Sequence, residues 1–191
     1  ALAGDPVSAF GGVLITNKPI DKETAEEINK IFFEVIIAPD YDVEAIEVLT
    51  QKKNRIILIQ KPFARPEKQF RSLLNGVLVQ DRDNSTEGAE QLKTVTEKEP
   101  TSAEIEDMIF ANKIVKHTKS NAIVVGKADR TTGIGMGQTN RIWAAQQAIE
   151  HAGDEIKGSV MASDAFFPFP DCVEECVKAG ITAIVQPGGS I

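Results

Sequence analysis

The chain has 191 residues, 42% hydrophobic and 26% charged, an ordinary globular composition with length for one large domain or two small ones. Its formal net charge of −7 and pI near 5 argue against a nucleic-acid partner, because backbone phosphates are bound by clustered Lys and Arg, while a local site for a small anion stays open. No apolar run reaches the ~18 residues of a membrane span, and no basic segment followed by an apolar leader is present, so a membrane partner is not expected and the reading is cytoplasmic.

The opening ALAGDPVSAFGG starts without Met in what reads as structured sequence, and QPGGSI stops just after a strand, so a fragment cut at both ends is expected. Gly12 to Thr16 is a short apolar strand. Asp21 is placed to cap a helix through about Phe32 that buries Ala25, Ile28 and either Ile31 or Phe32. Val35 to Ala38 is a second strand ending at Pro39, and Asp42 caps a helix through Ile46 and Leu49. Ile56 to Ile59 is apolar throughout, which predicts a strand buried on both faces of a parallel sheet covered by helices.

From Lys61 to about Pro100 the pattern weakens, to one strand over Leu73 to Gln80 and an acidic, solvated loop over Asp81 to Glu99. Thr101-x-x-Glu104 is a capping box opening a helix with Ile105, Met108, Ile109 and Ile114 inward. A strand at Ala122 to Val125, a glycine-rich segment, a helix from about Asn140 to Ala152, a strand at Val160 to Ser163, a helix from Asp171 to Ala179 and a strand at Thr182 to Gln186 follow. The class is therefore α/β, with two βαβαβ units in tandem and their ligand-facing loops at Ala38 to Asp42 and at SDAFFPFPD. Cys172 and Cys176 share one helix face, which reads as apolar packing and not as a zinc set.

Several segments could carry chemistry. Thr132-Gly-Ile-Gly-Met-Gly-Gln138 fits neither a Rossmann fingerprint nor a P-loop; its glycines let either another backbone or a ligand come close. Arg141, in the first turn of the next helix, sits at the positive end of the dipole, where a cation either meets an anion or stays in solvent. Asn121, at the mouth of a strand, can donate and accept, and Lys116-His117 offers either a general base or a solvated helix end. Glu34 and Lys53 are ordinary surface residues taken alone. SDAFFPFPDC holds three of the nine Phe and two Pro at a strand end, and Asp171 with Glu174 outlines a capping box.

SDAFFPFPD, GDPVSAFGG, IIAPDYDVEAI, KSNAIVV, GIGMGQTNRI and QPGGS, in this order from Gly4 to the last residue, resemble the formyltransferase portion of the AICAR transformylase/IMP cyclohydrolase family. The resemblance implies tandem cytidine-deaminase-like, three-layer α/β/α subdomains with mostly parallel sheets: a partial first one over residues 1–66, a connecting strand and polar loop over 67–100, and a second over 101–191 lacking its C-terminal end. It implies formyl transfer from 10-formyltetrahydrofolate to the 5-amino group of aminoimidazole carboxamide ribonucleotide (AICAR), giving FAICAR in de novo purine (IMP) synthesis, by a homodimer whose sites lie between subunits. Zinc is not implied, since the deaminase His-x-Glu and Pro-Cys-x-x-Cys signatures are absent.

Carried over by motif, Asn121, Phe166, Lys53 and Glu34 would contact AICAR, with Asn121 assisting catalysis and Lys53 facing the phosphate. Arg141, Ile142, Pro168, Phe169, Asp171, Phe10 and Gly11 would border the folate. Thr118, Ser120 and Asp164 resemble the oxygen donors of a potassium site. The Lys-His pair that manages proton transfer in the family belongs to a segment before the GDPVSAFGG turn and is not in this sequence; Lys116-His117 is a different pair. A basic, His-containing tail and the cyclohydrolase domain are also outside it. The expectation is thus a fragment that is inactive by itself, the alternatives being a non-enzymatic nucleotide- or folate-binding module and a scaffold that only dimerises.

Overall fold

The computed structural model describes residues 2–188; the last residues of the QPGGS motif, Gly189 and Ser190, lie outside them. Packing divides the chain into two compact units, one over Gly4–Asp83 and one from Asn84 onward.

The first unit is a parallel sheet in the order β1 (Gly12–Ile15), β2 (Phe33–Ala38), β3 (Ile56–Ile59), linked by α1 (Lys22–Asn29) and α2 (Val43–Leu49). Asp21 caps α1 as expected, accepting from the Thr24 N–H at 2.8 Å. The helix ends at Asn29, because β2 already begins at Phe33. Phe32 is consequently half exposed and lies against Phe10, ring centroids 4.8 Å apart, while Ala25, Ile28 and Ile31 face the core. Asp42 stands at the N-cap position of α2, but its side chain makes no capping bond. Leu14, Ile36 and Ile57, one from each strand, pack with Ala25, Ala45 and Leu49 of the helices. Arg55 stacks its guanidinium 4.1 Å from the centre of the Phe33 ring and donates to Asn29 Oδ1 at 2.8 Å, tying the ends of both helices to the sheet.

The expectation that β3 is buried on both faces is not met: Ile56, Leu58 and Ile59 are 52%, 44% and 61% exposed. The strand register explains this for Ile56 and Leu58, while Ile59 is the last residue of the strand and lies on the other face. The register places Val13, Ile15, Val35, Ile37, Ile56 and Leu58 on the face opposite Leu14, Ile36 and Ile57, and both helices of the unit pack on the latter face. The single strand expected over Leu73 to Gln80 is instead an antiparallel hairpin, β4 (Lys68–Leu73) and β5 (Gly76–Asp81), paired from Leu73↔Gly76 to Lys68↔Asp81. Its two-residue tip is Leu74-Asn75, between the paired Leu73 and Gly76, and Asn is a residue that favours turns.

In the second unit, α3 (Ser102–Val115) opens with the full capping box: Thr101 Oγ1 accepts from the Glu104 N–H at 3.3 Å, and Glu104 Oε2 accepts from the Thr101 N–H at 2.8 Å. The inner stripe is Ile105, Met108, Ala111, Ile114 and Val115; Ile109, one residue round from Met108, lies outside that cluster. Before it, residues 81–99 are largely exposed, as expected, with one short 3₁₀ turn at Ala89–Gln91.

The sheet of this unit is mixed, in the order β7 (Arg130–Gly135), β6 (Ile123–Lys127), β8 (Val160–Ser163), β9 (Ala183–Val185). β6 runs antiparallel to both neighbours and β8 parallel to β9, so the second unit is not the uniform βαβαβ repeat expected. A tight turn at Ala128 and Asp129, both at positive φ (51° and 56°), sends the glycine-rich segment back as a strand. α3 covers one face, on Ala122, Val124, Val160 and Ala162; α4 (Arg141–Ala152) and α5 (Asp171–Ala179) cover the other, on Ile123, Val125 and Met161. The result is a three-layer α/β/α unit. Cys172 and Cys176 are buried in that second core, where burial pushes their thiols up to about 11 and about 12.

The glycines of β7 have a definite purpose. A Cβ at Gly133 would fall 2.0 Å from the Ala148 carbonyl oxygen and one at Gly135 1.9 Å from that of Ala144, so α4 lies directly on the strand. Of the two readings of TGIGMGQ, close approach of another backbone is the one realised at these two positions.

Candidate functional site

The β6 amino end and the carboxyl ends of β7 and β8 meet at one edge of the second unit's sheet, and α4 starts there. Asn140 caps α4, its Oδ1 accepting from the Ile142 N–H at 3.2 Å, which sets Arg141 in the first turn facing the strand ends. The guanidinium donates through Nη1 to Asp164 Oδ1 at 2.5 Å and Ser163 Oγ at 3.1 Å, and through Nη2 to Asn121 Oδ1 at 2.7 Å. The side chains of Arg141 and Asp164 are only 12% and 15% exposed. The anion that Arg141 meets is therefore the chain's own carboxylate; the solvated reading of Arg141 does not hold, and both of its terminal nitrogens are engaged.

Asp164 also accepts from the Ala122 N–H at 2.9 Å. Burial by itself raises its pKa, but the hydrogen bonds from the Ser120 hydroxyl, Ala122 N–H and Arg141, with the charge of Arg141, outweigh burial and hold the carboxyl below its ordinary value. Asn121 completes the cluster by donating from Nδ2 to the Gln138 carbonyl at 2.8 Å. Gln138 is held by Gln147, whose Oε1 accepts from Gln138 Nε2 at 3.2 Å and from the Met136 N–H at 3.1 Å.

The SDAFFPFPD segment follows β8 immediately. Phe167 packs on the core, with its N–H donating to Gln186 Oε1 at 2.6 Å, while Phe166 and Phe169 are 37% and 67% exposed. The segment is thus divided, one ring inward and two outward, with Pro168 exposed between them. Pro170, not Asp171, occupies the N-cap of α5, and no capping box forms with Glu174; Asp171 is the first helical residue and accepts from the Cys172 N–H at 2.8 Å. Proline's fixed φ makes it a ready helix entry, which displaces the acid by one position.

The remaining expected residues have these surroundings. Thr118 Oγ1 donates to the Ile114 carbonyl at 2.9 Å, whereas Ser120 adjoins Asp164. Lys116 reaches the Ser85 carbonyl, and His117 is exposed at the end of α3, outside the Asn121 network. In the first unit, Glu34 is exposed within β2, not ahead of it, and Lys53 is exposed in the turn after α2. Phe10 is 77% exposed, and Gly11, at φ 71°, donates its N–H to the Phe32 carbonyl at 3.0 Å. Ser163, Gln138 and Gln147 were not anticipated. Gln147 had one signal, a polar side chain on the alanine face of α4.

Such a cluster can present a fixed carboxamide at the sheet edge from which the segment bearing the exposed Phe166 and Phe169 leaves. Comparison with known proteins decides the lineage, since the sequence profile of the AICARFT/IMPCHase bienzyme matches residues 1–151. The chain belongs to the AICARFT/IMPCHase bienzyme family. It is 66% identical over 194 aligned residues to the bifunctional purine biosynthesis protein PurH of Bacteroides thetaiotaomicron. The proteins of the same name from a Thermoanaerobacter species and from Acetivibrio thermocellus are 55% and 52% identical. In all three cases the whole chain is aligned, and it spans 38%, 37% and 38% of the relative's length. Among the described residues of this family member, no helix is long and apolar enough to cross a membrane.

Proposed function

We propose that these 191 residues are part of the formyltransferase portion of a bifunctional enzyme of purine biosynthesis, which passes a formyl group from 10-formyltetrahydrofolate to AICAR. The observation that carries the reading is the carboxamide of Asn121, held between Arg141 and Gln138 at the sheet edge from which the Phe166 to Phe169 segment leaves. Asn121 and Phe166 would take the aminoimidazole, with Lys53 and Glu34 contributing to the nucleotide. Ile142, Pro168, Phe169 and Asp171, with Arg141, Phe10 and Gly11, would border the folate. Ser120, Asp164 and Thr118 supply hard oxygens suited to a potassium ion. The working form would be a cytoplasmic homodimer.

In the transfer, the amine nitrogen bonds to the formyl carbon, the bond from that carbon to folate N10 breaks, the amine loses a proton and N10 gains one. Positioning contributes much of such a rate, and a general base typically a further ~10²- to 10⁴-fold. Arg141 has only donors to offer and Asp164 is ion-paired to it, so neither is placed as that base. Lys116 and His117 stand outside the cluster. The 191-residue chain is accordingly expected to bind without turning over.

The test is isothermal calorimetry and thermal unfolding with AICAR and a non-reactive folate analogue, alongside a formylation assay. AICAR should raise the melting temperature, Asn121→Ala should reduce that rise, and no FAICAR should form. Absence of binding by either ligand overturns the reading; folate-dependent formylation by the chain overturns the expected silence and returns His117 to candidacy.

A further inference from the structure

An Asn carboxamide is nearly symmetric in shape, so which end is oxygen must come from its partners. Here the partners admit one answer. The guanidinium of Arg141 has only donors, so the atom 2.7 Å from Nη2 must be oxygen; the Gln138 carbonyl only accepts, so the atom 2.8 Å from it must be nitrogen. Turning the group over would set N–H against N–H and oxygen against oxygen. Arg141 in turn is aimed by two acceptors outside Asn121: Asp164 at 2.5 Å, and Ser163 Oγ at 3.1 Å, whose own proton goes to the Ala165 carbonyl at 2.6 Å.

We propose that Arg141, aimed by Asp164 and Ser163, is the positioning residue that fixes the sense of the Asn121 carboxamide, so that the site offers its second N–H to a carbonyl-type oxygen of the ligand. This rests on the reading of Asn121 as a ligand contact. It gives the side chain of Arg141 a role beyond lining the folate, and it makes Asp164, which need not touch AICAR, a determinant of affinity for it. The acceptor that fits such a donor on AICAR is the carboxamide oxygen. A ligand with an amino group in that place would set donor against donor and be rejected.

The proposal has two readouts, one of which needs no ligand. In the ¹⁵N-labelled chain, the Asn121 side-chain NH₂ pair, assigned by its loss in Asn121→Ala, should show slowed hydrogen exchange, and Asp164→Asn or Arg141→Lys should abolish the slowing. Lysine keeps the charge opposite Asp164 but lacks the fork that spans both acceptors, so it stands in if Asp164→Asn fails to fold. By calorimetry with AICAR, Asp164→Asn should weaken binding about tenfold in the otherwise unchanged chain and less than about twofold in an Asn121→Ala background, the mark of an effect transmitted through Asn121. Equal losses in both backgrounds, or slowed exchange that survives both substitutions, overturn the proposal. If AICAR does not bind at all, the functional reading fails by itself, and the exchange data still decide the role of Arg141.

Discussion

At the residue scale, the two buried features nearest the candidate site are a pair of missing side chains and a buried charge. Gly133 and Gly135 are needed because the carbonyls of Ala148 and Ala144 occupy the space a Cβ would take. Gly135→Ala should therefore destabilise the chain by about 3 kcal/mol or more, through overpacking against backbone that cannot yield. Gly12→Ala, where nothing stands within 4 Å, should shift stability by no more than about 0.5 kcal/mol, and urea denaturation followed by circular dichroism compares the two. A glycine in a sequence states only that something comes close; that α4 comes close depends on packing. Arg141 was legible in the same limited way. Its place in the first turn of a helix pointed to an anion, but Asp164 lies 23 residues further on and only the sheet brings it there.

At the element scale, β3 shows how an apolar pattern can be read correctly as a strand and wrongly as fully covered. Ile56 to Ile59 does form a parallel strand beside β2, as its composition required. Hydrophobicity does not say which faces neighbours will cover, and here α1 and α2 cover one. The opposite face keeps Val13 and Ile15 at 64% and 66% exposure beside Ile56 and Leu58. A contiguous apolar surface of that kind promotes self-association. Replacing Ile15 and Leu58 together by Thr, which keeps the β-branched or strand-compatible form, should reduce concentration-dependent light scattering of the 191-residue chain while leaving its far-ultraviolet circular dichroism unchanged. Unchanged scattering would show that this face is not the sticky one. The hairpin β4–β5 is half legible in the sequence: the weak pattern gives a strand, and Leu74-Asn75, between the paired Leu73 and Gly76, is the turn that divides it.

At the scale of the whole molecule, the cores of the two units are separate. Ile20, Phe33, Ile36 and Leu49 anchor one, within Gly4–Asp83, and the two clusters flanking the β6–β9 sheet belong to the other. The second unit has helices on both faces of its sheet and the first on one, so they should differ in autonomy. A polypeptide of residues 84–191 is expected to fold alone, with a cooperative thermal transition and protected amides in β6 and β8; a broad, non-cooperative melt with dye binding would contradict this. The sequence by itself determined the α/β class, the caps at Asp21 and Thr101, most strand positions and, through six ordered motifs, the family, because these depend on local spacing and on residue identity. Tertiary structure alone decided the antiparallel course of β6, the open face of the first sheet, the backbone contact behind the glycines and the Asp164–Arg141–Asn121 relay. Each of these depends on which distant segments share a sheet or a face, and short-range periodicity contains no record of that.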